Sequence, residues 1–330
     1  MRATVIGAGV VGLTTALTLA ERGAQITLVE RSRQLGGNAS WLAGGMLAPF
    51  CEGESAPASV VALGRRALDW WAARVPGVVR EGTLVVAPPR DASEIERFAA
   101  RTAEHVRADE ERIAELEPDL AGRFRRGLFF AGEGHLDPRV ALPVLAKALR
   151  AQGGEIRFGV DGETPGETPG DADAVIDCRG WAARADLPDL RGVRGEMVRI
   201  RTREVRLTRT VRLLHPRIPL YVAPRANNEF MIGATMIESA ERGAVSVRSA
   251  LELLSAAYAL HPAFGEAEIL EMSADVRPAF PDNEPRVEAR EGRIFVNGVY
   301  RHGFLLSPAL AEWAAEMAFA PASPRRLIEA

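Results

Sequence analysis

The sequence predicts a mixed α/β fold in which a parallel sheet is assembled from both ends of the chain and an antiparallel sheet from its middle. Three observations predict it. The chain opens on an apolar strand, a turn with three glycines, an apolar helix and a second apolar strand, the order of a parallel βαβ unit. Residues 193–237 instead alternate the strand-like segments MVRIRT, PLYVAPR and EFMIGAT with turns, as antiparallel sheet does. A last apolar strand at 293–297 and helix at 303–318 return to the opening pattern, so the two units interleave. The expected division places 1–75, 130–190 and 276–330 in the first unit and 76–129 and 191–275 in the second.

Each element has a local reason. ATVIG (3–7) is an apolar run ending in glycine, a buried strand. Residues 10–23 read as a helix stopped by Gly23, and QITLVE (25–30) as a second buried strand ending on an acid. GGNASWLAGGMLAP (36–49), rich in Gly and Ala, suits backbone lying against a flat ligand. Helices are expected over 56–74 and 91–107, and a strand over 82–87. RGLFFAGEGHLDP (126–138) reads as a strand running into a turn that includes His135. A helix follows over 138–151, with Pro138 at its start and Gly153-Gly154 beyond its end. Strands follow at 155–160 and in ADAVIDCRGW (172–181), separated by GETPGETPG (162–170), a low-complexity turn. Residues 246–260 read as a helix.

The bulk numbers exclude several classes. With 47% hydrophobic and 26% charged residues the composition is that of a globular protein, and a net charge of −3 gives no electrostatic footing for nucleic acid. No apolar run approaches a membrane span. The first residues enter a strand pattern at once, which leaves no room for a signal peptide, and Cys51 and Cys178 form no CxxC pattern. The expectation is a cytoplasmic protein with reduced thiols. His105, His215 and His261 show no ligand spacing, so no metal site is expected.

Gly7-Ala8-Gly9-Val10-Val11-Gly12 is GxGxxG, a common pattern that acquires meaning from its surroundings. Here it follows a strand, opens a helix and precedes Glu30, 18 residues past Gly12, at the end of the next strand. Gly7 permits the tight turn, Gly9 lets backbone approach a pyrophosphate, and Gly12 lets the helix pack on the strand. The helix N-terminus offers free N–H groups to the phosphates, and Glu30 offers acceptors to both ribose hydroxyls. The motif leaves FAD and NAD open. The Gly-rich segment after Glu30, the strand-turn at 177–181 and the returning strand and helix at 293–318 favour the longer FAD.

VIGAGVVGLTTALTLAERG with VERS, ASWLAGGMLAP, HLDPRVALPVLAKALRAQGGEI, VIDCRGWAA, RGEMVRI, YVAPR with MIGATM, VRPAFPDNEP and NGVYRHGFLLSPALAE together resemble the D-amino-acid-oxidase-like flavoproteins, over almost the whole chain. The branch most similar oxidises glycine and serves thiamine biosynthesis. AGGML and YRHGFLLSPALAE are the specific parts of the match. The resemblance implies FAD, a fold of the glutathione-reductase type, and oxidation of glycine or a similar small amino acid to an imine, with O2 as acceptor. It implies that Ala39, Ser40, Gly44, Gly45 and Met46 pass the flavin. Arg31, Val160, Gly180 and His302 fall at further cofactor positions. Gly303, Phe304, Leu305 and Leu306 begin the helix that points at the flavin's pyrimidine end, where its N–H groups would stabilise negative charge. Arg277 matches the arginine that holds the substrate carboxylate, and Tyr221 and Arg301 the other substrate-side positions.

Without the resemblance these residues have plainer readings: Arg277 as a surface ion pair, Tyr221 as a core tyrosine, Trp41 and Trp181 as either core or cofactor border. The sequence departs from the family at Ala279-Phe280, Asn297, His302 and Ser307, and GETPGETPG replaces a longer β-meander. A dehydrogenase passing electrons to a quinone and a flavin-binding module without turnover are the competing readings. A tRNA-modifying role has no basic stripe to support it. Self-association into a homo-oligomer is compatible with the sequence.

Overall fold

The computed structural model describes residues 1–163, 172–215 and 219–319. Most of the expected GETPGETPG turn, 164–170, lies outside them. A six-stranded sheet runs in the order 286–290, 293–297, 174–177, 2–6, 25–30, 155–158. Its pairings are parallel apart from the edge strand Arg286–Arg290, which runs antiparallel to Arg293–Asn297. Val5 faces Leu28 on one side and Ile176 on the other, at the sheet's centre.

The helix Val10–Glu21 is apolar all round because it is buried all round, between this sheet and the helices Pro138–Ala151 and Gly303–Phe319. Leu13 and Leu19 are wholly covered, each contributing roughly 1.5–3 kcal/mol of transfer free energy. Thr14 returns its hydroxyl to the Val10 and Val11 carbonyls, so no polar group of its own is stranded. Gly23, at a φ of +86°, ends the helix. Asp137 caps Pro138–Ala151 by accepting from the Arg139 N–H at 2.8 Å, with Pro138 at the first helical position.

A nine-stranded sheet takes strands from two stretches of chain: 83–86, 106–109 and 126–130, then 191–201, 210–213, 220–224, 229–233, 237–238 and 268–279. It is antiparallel except where Thr83–Val86 pairs parallel with Thr210–Leu213. The strand Glu268–Ala279 runs across residue 276, an expected unit boundary. Among the described residues no helix is long and apolar enough to cross a membrane.

Several expectations need correction. The helix over 56–74 is two helices, Ala58–Gly64 and Ala67–Ala72, because Gly64 packs directly under Leu305 and the chain turns there. The helix over 91–107 is Ser93–Arg101. Thr102 leaves it extended, Glu104 takes a left-handed φ of +59°, and Val106–Asp109 becomes a strand paired with Arg126–Phe130. The strand over 155–160 ends at Phe158. His135 is a buried strand residue facing Met46, where a turn was expected. Glu268–Ala279 went unread because cross-strand ion pairs, Arg199 to Glu271 and Arg201 to Glu268, replace apolar alternation.

Gly12 carries the packing of the first turn. A Cβ there would lie 1.8 Å from the Gly7 carbonyl oxygen. Gly12→Ala must push the helix off the strand, and overpacking of this kind costs about 1–3 kcal/mol. Thermal melts of the variant should show a clear drop in Tm with less bound cofactor. An unchanged Tm would show that the turn has slack.

Candidate active site

A single cavity of about 1350 Å³ receives residues from both sheets. From the six-stranded side come the turns at Gly7, Gly9, Glu30 and Gly180, and from the nine-stranded side Arg212, Tyr221 and Arg277. Of the residues expected at the site, Val10, Val11, Arg31, Ala39, Ser40, Gly44, Gly45, Met46, Arg301, His302, Gly303, Phe304 and Leu305 also line it.

Three expected cofactor residues do not. Gly12 is turned against Gly7 and serves packing. Val160 donates its N–H to the Glu30 carbonyl at 3.0 Å, fixing the end of that strand. Leu306 is wholly buried in the core, one residue beyond the part of the helix that reaches the cavity.

The residues around the fingerprint fit a dinucleotide. Gly7 takes a φ of +102°, open to glycine and strained for other residues. A Cβ at Gly9 would meet only the Ser40 hydroxyl, at 3.2 Å, so the backbone there is otherwise open to a ligand's approach. Glu30 Oε2 accepts from the Ala8 N–H at 2.7 Å and Oε1 from the Ser32 N–H at 2.8 Å. Each oxygen keeps a further lone pair for a ribose hydroxyl. Ser40 caps the helix by accepting from the Val10 N–H at 3.0 Å. The helix Gly303–Phe319 presents its first turn to the cavity, where N–H groups have no partner within the helix. These residues would hold FAD. The family departures find roles beside them. Asn297 donates to the Gly180 carbonyl at 2.9 Å, Ser307 returns its hydroxyl to the Gly303 carbonyl, and Phe280 lies against Gly298.

Four arginines gather on the other side. Arg277 stands on Glu268–Ala279, opposite Val193, and its guanidinium lies over Gly195, where a Cβ would be 2.2 Å away. It donates to the Thr235 carbonyl at 2.9 Å. Burial pushes its pKa down, and the nearest groups acting on it are Tyr221, Tyr300 and Arg301, with no carboxylate among them. Tyr221 lies over Gly233, its partner in register, and beside Gly44. Burial raises its pKa, so its hydroxyl stays protonated at neutral pH.

Arg301, expected on the substrate side, is held otherwise. Its Nε donates to Glu52 Oε2 at 2.8 Å and its Nη2 to Ser55 Oγ at 2.7 Å. Glu52 also pairs with Arg212. Burial acts to raise the Glu52 pKa, but the two arginines hold it well below the usual carboxylate range. Arg225 donates to the Gly44 carbonyl and stands 3.9 Å from Asp137. Sequence reasoning missed Glu52, Arg212 and Arg225. The available signal for Glu52 was an acid closing the otherwise apolar run GGMLAPFCE.

The sequence profile of the family described as FAD dependent oxidoreductase matches residues 2–317. A Rhizobium etli protein named as the thiamine biosynthesis oxidoreductase ThiO is 57% identical over 313 residues, covering 94% of each chain. A glycine oxidase of Pseudomonas aeruginosa is 28% identical over 356 residues, covering 96% of this chain and 94% of that one. The crystal structure of glycine oxidase from Geobacillus kaustophilus superposes with a TM-score of 0.81 at 24% identity, over 99% of this chain and 100% of that one, a likeness of fold.

His302, 3% exposed, stands 3.4 Å from Glu52. Burial lowers its pKa to about 4, against the opposing pull of Glu52. The folded protein therefore refuses a proton that the unfolded chain accepts near pH 6.5. Stability from the neutral ring is complete above pH 6.5 and falls as pH drops towards 4. Relative to His302→Asn, the wild type should lose on the order of 3 kcal/mol across that window. Urea melts at several pH values measure it. A pH-independent difference between the two proteins would contradict the assignment.

Proposed function

This chain belongs to the family of FAD-dependent oxidoreductases, and from that premise we propose that it oxidises the amine of glycine or a similarly small amino acid to the imine. Water then hydrolyses the imine to glyoxylate and ammonia. The observation that carries the reading is Arg277, a partly buried guanidinium at the cavity wall that donates to the Thr235 carbonyl and has no carboxylate partner among the described residues. A small amino acid offers a carboxylate, an amine and little else, and a bidentate charge-assisted pair is the strongest single handle on it.

Bound FAD supplies the two-electron, hydride-accepting chemistry. The chain's residues bind and orient. Arg277 holds the carboxylate, and Tyr221, protonated and beside it, donates a further hydrogen bond to it. The N–H groups at Gly303–Leu305, at the cavity end of their helix, would stabilise negative charge on a bound flavin. No residue is needed as a general base if the amine binds neutral, so the low pKa of His302 is no obstacle.

The reading extends to O2 as acceptor, with peroxide formed, and to supply of the thiamine thiazole; the Rhizobium relative's name supports the second point. We assign the six-stranded sheet and its helices to cofactor binding and the nine-stranded sheet, including the strand Glu268–Ala279 that carries Arg277, to the substrate. We place the enzyme in the cytoplasm, supported by the free, buried Cys51 and Cys178.

Purified protein should be yellow, with about one FAD per chain. Glycine or sarcosine added anaerobically should bleach it, and air should restore the colour with peroxide released. Bleaching by large D-amino acids but not by glycine would overturn the substrate. Bleaching by glycine without peroxide on reoxidation would point to a quinone as acceptor.

A further inference from the structure

Two arginines at the cavity wall, Arg212 and Arg301, share one carboxylate, that of Glu52. Glu52, 6% exposed, sits at the end of the short helix Pro49–Glu52. One of its oxygens pairs with Arg212 and the other accepts from Arg301 Nε at 2.8 Å. Arg212 is also close to Glu133, which is buried behind it and accepts from the Cys51 N–H at 2.7 Å. Arg277 stands apart from this network, donating to the Thr235 carbonyl.

We propose that Glu52 determines substrate charge, restricting the site to amino acids with a single carboxylate. The inference rests on the amino-acid reading above. A second carboxylate needs a second cation, and the nearest candidates, Arg212 and Arg301, are both already paired with Glu52. The Glu52 carboxylate also faces the cavity and repels a second anion. Replacing it by glutamine keeps the shape and removes the charge. Arg301 would then lose its carboxylate partner and Arg212 would keep only Glu133 behind it, a costly state that an entering carboxylate relieves.

The test is a spectral titration of the oxidised, FAD-loaded protein with two non-reactive ligands of matched skeleton. These are glycolate, with one carboxylate, and tartronate, which is glycolate with a second. Wild-type protein should bind glycolate at least about tenfold more tightly than tartronate, and Glu52→Gln should shift that ratio at least about tenfold towards tartronate. Turnover should follow, with kcat/KM for iminodiacetate rising relative to glycine in the variant. Adding Arg301→Gln to Glu52→Gln should reverse most of the shift. Tartronate binding as tightly as glycolate in the wild type, or a ratio within twofold of wild type in Glu52→Gln, overturns the proposal. If the variant loses its FAD, the wild-type ratio alone decides. If no amine bleaches the wild type, the amino-acid reading fails, while the two binding ratios still report on Glu52.

Discussion

Arg277 stands partly buried at the cavity wall with no carboxylate partner among the described residues, and the groups around it are arranged to accommodate that charge. Desolvating a guanidinium is expensive unless an anion compensates it. The Thr235 carbonyl compensates only in part. The surrounding residues accommodate the group: Gly195 gives up its side chain so that the guanidinium can lie flat on the neighbouring strand. Glu52 pairs with both Arg212 and Arg301. On the nine-stranded sheet, Arg277 then stands at the cavity wall without a carboxylate partner among the described residues, opposite the dinucleotide turn.

The two sheets have separate duties that meet at this cavity. The parallel sheet converges the fingerprint turn, Glu30 and the Asp177–Gly180 turn, as open α/β sheets do at the carboxyl ends of their strands. The antiparallel sheet supplies a rigid floor, with Tyr221 and Arg277 placed by strand register rather than by loops. Rigid placement is what orientation of a small substrate requires, since few contacts are available to correct an error.

How legible each part was in the sequence follows from how far its partners lie along the chain. Gly7, Gly9, Gly12 and Glu30 are read together because 24 residues contain the whole unit and each position has a local reason. The helix at 138–151 was legible from Asp137-Pro138. The pairing of Glu52 with Arg212 and Arg301 joins residues 160 and 249 positions apart, with no local pattern to mark it. Arg301 was expected on the substrate side; it lines the cavity, and its pairing with Glu52 was not legible. Arg277 was legible through family resemblance, but its isolation from acids emerged only from the packing. The strand that carries it is half-exposed and held by ion pairs, so periodicity concealed it.

Arg277 is the group proposed to anchor a ligand's carboxylate. The direct measurement is glycolate binding to the oxidised protein carrying Arg277→Ala, with FAD content assayed in the same sample. Removing one member of a buried charged pair costs on the order of 2–5 kcal/mol, so affinity should fall roughly 30-fold to several-thousand-fold while FAD stays near one per chain. Glycolate binding within about threefold of wild type, in a variant that keeps its FAD, would contradict the claim.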